Sequence, residues 1–267
     1  MIYDCVLFSH ELDMLEIRLN CLKDVVDEFI IVESDVTHSG KRKPLILPEH
    51  WDRFKEFPIT HRAITMSEGD PEYRSAVIRE CLQRQACRGV LMDSADVKDN
   101  DTVLLGDLDE IPYAHMVTLY DKVGYLPPTR MRQIHTYWYI NAIDRQPWDS
   151  GTIIMDGYHV KQSRFDGLRL RGSLPVILNA GWHFSSVGTE EEIKQKLEGF
   201  CHVEYGTERG QQLAANYRDN MLSIHDQPLE VIGIDHRYPQ YIRDTWRDRY
   251  PHLVTGVADG RSSSLSG

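Results

Sequence analysis

The stretch Val103–Pro112, Val-Leu-Leu-Gly-Asp-Leu-Asp-Glu-Ile-Pro, constrains the fold of this chain more than any other. Three apolar residues in a row predict a strand buried on both faces, as in the sheets of α/β proteins. Gly106 breaks the run, and Asp107, Asp109 and Glu110 follow directly. Pro112 has no N–H to give to a ladder and is expected to stop the strand. Carboxylates at the carboxyl end of a central strand lie where open α/β sheets bind their ligands. In a segment that stays extended, Asp107 and Asp109 point the same way. Two anionic oxygens on one side suit a hard divalent cation whose other ligands are water and phosphate. A solvated acidic turn would carry the same tripeptide. Three acids behind a buried run repel one another unless a cation neutralises them, and this favours the metal reading.

Composition narrows the class. At 267 residues the chain has ample material for a core, and its 41% hydrophobic and 27% charged residues are ordinary for a globular protein. A formal charge of −11 excludes a general nucleic-acid binder, which would show a basic footprint. Any anionic substrate must then be met by a local cluster of Arg, Lys or metal. Cys5, Cys21, Cys81, Cys87 and Cys201 are scattered and odd in number, which reads as reduced thiols. Met1 leads straight into a strand-like run with no basic or apolar leader, and no stretch approaches a membrane span. The expected location is therefore cytoplasmic.

In chain order, Ile2–Phe8 reads as a strand and Leu12–Leu22 as the helix after it, the opening of a nucleotide-binding α/β fold. A second strand, Glu28–Val32, ends in Glu33, placed either to meet a ribose hydroxyl or base edge or to cap a turn. Thr37–Pro44, polar with glycine and three basic residues, reads as a loop over the ligand or a solvated surface loop. Pro71–Gly89 is the clearest helix, with Val77, Ile78, Cys81, Leu82 and Ala86 as its apolar face and Arg79, Glu80, Gln83 and Arg84 opposite. Leading into the acidic strand, it can aim the Arg84 guanidinium fork at a diphosphate. Met131–Ile143 is dense in aromatics, with Trp148 shortly after. These are core residues or a platform on which a sugar ring stacks. Ile153–Asp156 and Val176–Phe184 are further strands, and Glu190–Phe200 is a helix with an acidic first turn. Pro239–Tyr250 is the last element. One domain over 1–255 is expected, with a flexible tail of linker composition over 256–267.

Four blocks resemble glycosyltransferase family seventeen, typified by bisecting N-acetylglucosaminyltransferases. They are Ser9–Arg18 (Ser-His-Glu-Leu-Asp-Met-Leu-Glu-Ile-Arg), Val25–Ser34 with Thr37, Gly40 and Pro44, Gly106–Pro112, and Ala180–Ser185 (Ala-Gly-Trp-His-Phe-Ser) with Lys196. The resemblance implies a GT-A fold, a Rossmann-like mixed central sheet flanked by helices. It also implies a UDP-sugar donor (UDP-N-acetylglucosamine in the typifying enzymes), Mn²⁺ or Mg²⁺, a glycan acceptor, and inversion at the anomeric carbon. The typifying enzymes are longer and membrane-anchored, so the acceptor's identity does not carry over.

On that basis each residue receives an expected role. Asp109 ligates the metal, and Asp107 reaches it through water or holds the ribose. His183, at the polar end of its strand, is the third protein ligand, since neutral imidazole suits Mn²⁺ beside carboxylates. Its alternative is a histidine hydrogen-bonded beneath Trp182. Glu11 and Glu33 line the nucleoside pocket and Arg84 meets phosphate. Tyr137, Trp138 and Trp182 contact the acceptor. An inverting transfer also needs a base for the acceptor hydroxyl, for which Asp156 and Glu191 are candidates. A metal-dependent sugar-nucleotide hydrolase, a nucleotidyltransferase and a noncatalytic carbohydrate-binding protein are the rival readings.

Overall fold

The structure, a computed structural model, describes residues 1–66, 75–170, 173–199 and 206–256. Its strands are β1 (Ile2–Phe8), β2 (Glu28–Ser34), β3 (Ile59–Ile64), β4 (Thr102–Asp107), β5 (Glu110–Pro112), β6 (Thr129–Met131), β7 (Gln133–Tyr137), β8 (Ala142–Trp148), β9 (Ile153–Asp156), β10 (Val176–Ile177), β11 (Gly181–Ser185) and β12 (Glu230–Val231). They form a seven-stranded sheet in the order β10-β6-β9-β4-β1-β2-β3 and a five-stranded sheet in the order β12-β8-β7-β11-β5. In the larger sheet β1, β2, β3 and β4 run parallel, while β9 is antiparallel to β4 and β6. The expected mixed α/β architecture is the one observed.

The apolar runs are continuous because both faces of the larger sheet are covered. Val6, Phe29, Ile31 and Leu104 pack on one side with the helix Leu12–Leu22 and with Ile242 and Trp246 of the C-terminal helix Gln240–Arg249. Cys5, Ile30, Val32, Val103 and Leu105 pack on the other with Cys87, Val90 and Leu91 of the helix Ala76–Asp93 and with Val160, Phe165 and Leu168. Alternate residues of each strand thus enter different cores, the period-two geometry of a strand. The chain leaves β1 for β2 and β3 on one side and returns to β4 on the other. The crevice at the carboxyl ends of β1 and β4 is therefore a topological switch point.

Several sequence expectations change. The acidic segment does not stay extended: β4 ends at Asp107, residues 108 and 109 turn, and the chain resumes as β5 in the second sheet. Pro112 does end an extended segment, but that segment is β5, an edge strand of the second sheet, where a missing N–H is tolerated. Val176–Phe184 is not one strand: it divides between the two sheets at Asn179 (φ 51°) and Gly181 (φ 155°). A Cβ on Gly181 would lie 2.3 Å from the Ile111 carbonyl oxygen, which is why a glycine stands there. The helix expected over 71–89 continues through Gly89 to Asp93, and Pro71 lies outside the described residues, as do Phe200 and the tail from 257. Its expected faces hold only in part: Ala86 packs against the core, but Val77 and Ile78 are exposed, whereas Arg79, Gln83 and Arg84 are buried. The polar side faces inward because a cavity lies there. Among the described residues no helix is long and apolar enough to cross a membrane.

Candidate active site at the acidic turn

The turn after β4 is held from beneath by a buried ion pair. Arg18, on the first helix, donates from Nε and Nη2 to the two Asp4 carboxylate oxygens at 2.7 Å each, and both side chains are fully buried. Its Nη1 donates to the carbonyls of Asp107 (2.9 Å), Leu108 (3.2 Å) and Glu110 (2.7 Å). These carbonyls leave the β4 ladder as the chain turns, and a guanidinium fork gathers them. Gly106 is needed on the other side, since a Cβ there would come within 2.6 Å of Thr152 Oγ1.

Asp107, Leu108 and Asp109 line a cavity of about 450 Å³. Ser9, His10 and Glu11 enter it from the end of β1, and Ser34, Val36, Thr37, His38 and Lys43 from the end of β2 and its loop. The helix Ala76–Asp93 contributes Glu80, Gln83 and Arg84. The second sheet contributes Tyr137, Trp148, His183 and Ser185, the helix Glu190–Gly199 contributes Lys196 and Leu197, and a later loop contributes Ile224 and His225. Of the loop Thr37–Pro44, read either as a ligand loop or as a solvated surface loop, Thr37, His38 and Lys43 border the cavity while Gly40, Lys41, Arg42 and Pro44 are exposed. Ser39 N–H and Oγ–H fasten that loop to the carbonyls of Gly199 (3.1 Å) and Glu198 (2.6 Å).

The carboxylates are neutralised by the chain's own cations. Asp107 accepts from Arg84 Nη2 at 2.6 Å and from Arg169 Nη2 at 3.0 Å. Burial raises its pKa, but the two guanidiniums outweigh this and hold it well below the usual carboxylate range. Asp109 accepts from Lys196 Nζ at 2.7 Å, with His183 Nε2 at 3.4 Å from its other oxygen. Burial is again outweighed, here by Lys196 and His183, and Asp109 stays ionised. Glu11 lies 3.5 Å from Lys196, and against its burial His10 and Lys196 lower it to about 2. Arg84 Nη1 is buried with no hydrogen-bond partner among the described residues.

Glu110, fully buried, is not a free acid of the motif. Its carboxylate accepts from the Asp107 N–H (3.0 Å), from both Arg169 terminal nitrogens (3.0 and 2.8 Å) and from Trp148 Nε1 (2.8 Å).

Several expected site residues lie elsewhere. Glu33 does not line the cavity: its carboxylate takes Lys43 Nζ (2.9 Å), the N–H groups of Ile46 (2.5 Å) and Leu47 (3.2 Å), and His61 at 3.2 Å, so it anchors the ligand loop. Asp156 pairs with Thr102 at the opposite end of β4 and caps the helix Gly157–Gln162 through the His159 N–H. About five strand residues, roughly 16 Å, separate it from the acidic turn. Glu191 is exposed in its helix's first turn and outside the cavity. Trp138 and Trp182 are fully buried. Trp138, at φ 65°, donates to the Leu222 carbonyl at 2.8 Å, and Trp182 stacks between Phe184 and Tyr238. Neither can touch an acceptor. His183 stacks on His135 rather than lying beneath Trp182. Trp148, which follows the aromatic segment read as core or as a sugar platform, is in the lining, and Arg169, to which the sequence reading gave no role, reaches Asp107 from outside it. Arg169 could have been sought only through the charge argument, since buried acids require cations.

The donor set tests the metal. Among the described residues no three His, Cys, Asp or Glu side chains group to hold an ion. Asp107 is turned away onto Arg84 and Arg169, so the three-ligand site expected from Asp107, Asp109 and His183 is not formed. Asp109 Oδ1 and His183 Nε2 still converge at 3.4 Å, a carboxylate and an imidazole, and this pair fits a divalent ion that completes its shell from phosphate and water.

The sequence model of glycosyltransferase family 17 matches residues 1–218. The chain belongs to glycosyltransferase family 17. No curated protein matches this family-17 glycosyltransferase. Among solved structures it is similar to a 4-diphosphocytidyl-2C-methyl-D-erythritol synthase, at 8% identity and a TM-score of 0.37, covering 67% of this chain and 90% of that one. It is also similar to a Bacillus anthracis protein assigned as a glucose-1-phosphate thymidylyltransferase, at 12% identity and a TM-score of 0.36, covering 80% and 95%. Neither likeness is close enough to speak to chemistry.

Proposed function

We propose that this family-17 glycosyltransferase moves a sugar, N-acetylglucosamine from UDP-N-acetylglucosamine, to a hydroxyl of a glycan acceptor with inversion, within one catalytic domain over 1–255. The observation that carries the reading is the cavity at the β1/β4 switch point, lined by Arg84 and Lys196, which together with Arg169, outside the lining, neutralise Asp107 and Asp109 in a protein of net charge −11. A nucleotide diphosphate is the kind of anion for which such a cluster is needed. Arg84 has a buried unpartnered nitrogen to offer a phosphate oxygen, and the guanidinium fork suits that geometry. Lys196 and Arg84, both in the lining, would face the negative charge that grows as the diphosphate leaves, and such preorganised charges act most strongly in a site closed to water.

A divalent ion such as Mn²⁺ or Mg²⁺, held by Asp109 and His183, would supply Lewis-acid stabilisation of the leaving group. Asp107, fixed by two guanidiniums, is left to orient them or to accept from the ribose. Of the residues in the cavity lining, this reading gives Ser9, Glu11 and Thr37 to the nucleoside and Tyr137 to the acceptor. A panel of nucleotides read by thermal shift tests the assignment, since a ligand of the folded state stabilises it by mass action. UDP with Mn²⁺ should raise the melting temperature more than GDP, ADP or CMP. A larger shift with GDP would move the donor to a GDP-sugar, and no shift with any nucleotide would remove the reading.

A further inference from the structure

We infer that Trp148 is the platform against which the transferred sugar of the donor packs, and that Glu110 is the positioning residue that sets its ring. This rests on the nucleotide-sugar reading and adds what holds the sugar. Two of the three aromatics expected to meet sugar, Trp138 and Trp182, are sealed in the core, whereas Trp148 is half-buried in the cavity wall. The one polar atom of its side chain, Nε1, is engaged by Glu110 Oε1 at 2.8 Å, so the side-chain surface it gives the cavity is carbon. A flat carbon surface fits the C–H face of a pyranose, and an aromatic held in one orientation loses little entropy on binding.

Its place favours the donor's sugar over the acceptor. Glu110 Oε1 also accepts from Arg169 Nη2 (2.8 Å), which reaches Asp107 at 3.0 Å, so two side chains link Trp148 to the diphosphate cluster. The ring also lies 4.5 Å from the His183 ring and 5.2 Å from the His135 ring, and His183 is itself 3.4 Å from Asp109. The sugar bonded to the β-phosphate must lie beside whatever cations hold that phosphate, and Trp148 is the aromatic bound to both halves of that cluster. A buried carboxylate is a strong acceptor for an indole N–H and a strong partner for Arg169, so the ring and the cation are fixed together.

Tryptophan emission tests this on the whole enzyme with Mn²⁺, titrating UDP and UDP-N-acetylglucosamine separately. Wild type should show a change with the sugar nucleotide beyond that with UDP, and Trp148→Phe should lack it. Trp148→Ala should weaken UDP-N-acetylglucosamine by about tenfold while UDP affinity stays within about twofold, with Trp148→Phe between the two. Glu110→Gln should shift the emission assigned to Trp148 in the free enzyme and reduce the preference for sugar nucleotide over UDP. Equal sugar-nucleotide affinity in Trp148→Ala and wild type would overturn the inference. So would a raised acceptor KM with donor affinity unchanged, which would give Trp148 to the acceptor. Wild type that binds UDP but gains nothing from the sugar overturns it too and leaves the nucleotide reading standing. No response to any nucleotide overturns both.

Discussion

Replacing Arg18 by methionine removes five hydrogen bonds at once, two to Asp4 and three to the carbonyls that shape the acidic turn. Arg18 and Asp4 are both fully buried, so the variant leaves a carboxylate without its partner in the core. Breaking a buried pair in this way costs about 3–5 kcal/mol, far more than the pair's net contribution over apolar replacements. For a chain of this size that corresponds to a fall in Tm of roughly 6–20 °C. Adding Asp4→Leu removes the stranded charge and should recover at least about 2 kcal/mol, because the pair as a whole repays little beyond its desolvation. The recovered double variant still lacks the Arg18 donor to the Asp107 and Leu108 carbonyls and leaves the Glu110 carbonyl to Thr152 Oγ1, so transferase activity should stay low although the fold is restored. Urea unfolding followed by far-UV circular dichroism gives the stabilities, and activity is measured well below each melting point. A cost below about 1 kcal/mol for Arg18→Met, or a double variant with full activity, would refute the reasoning.

Asp109→Asn should abolish metal-stimulated turnover while the melting temperature of the metal-free protein changes little, since Lys196 is only partly buried and keeps Glu11 at 3.5 Å as a counter-charge; turnover near wild type with Mn²⁺ would remove the metal assignment. Asp107→Asn leaves Arg84 and Arg169 short of a counter-charge and should lower kcat/KM at least about tenfold, with full rescue by excess Mn²⁺ counting against its bond to the two arginines. Burial raises the Glu33 pKa, but His61, the Ile46 N–H and Lys43 outweigh it and bring it below its ordinary 4.5. Its stabilising effect is therefore complete above that value and lost as pH falls below it, so Glu33→Gln should cost about 1–3 kcal/mol at pH 7 and progressively less on acidification, read by urea unfolding at both ends of the range. Trp182→Phe should lower stability by roughly 1–3 kcal/mol and leave the acceptor KM unchanged, as kinetics with a saturating donor will show.

The larger sheet was legible because its strands are buried on both faces, so Cys5–Val6, Phe29–Val32 and Val103–Leu105 read as apolar runs whatever their neighbours. The acidic turn was legible as a site, but its internal wiring was not. An extended reading put Asp107 and Asp109 side by side, whereas the turn at 108 and 109 gives one carboxylate to Arg84 and Arg169 and the other to Lys196 and His183. Sequence spacing carries no trace of Arg169, which comes from 59 positions beyond its Glu110 partner. The helix holding Arg84 was read partly inside out because Val77 and Ile78 look like a core face, and only a cavity can turn the polar side inward. Trp138 and Trp182 mark the limit of composition: an aromatic-rich segment supplies both core and site, and burial alone separates Trp148 from them.

The central claim is transfer, and nucleotide release with and without acceptor tests it most directly. Incubated with UDP-N-acetylglucosamine and Mn²⁺, the protein should release UDP slowly alone and faster as glycan acceptor is added, with the label appearing in the acceptor. Release unaffected by any acceptor, or formation of sugar-1-phosphate, would contradict it and point to a hydrolase or a nucleotidyltransferase.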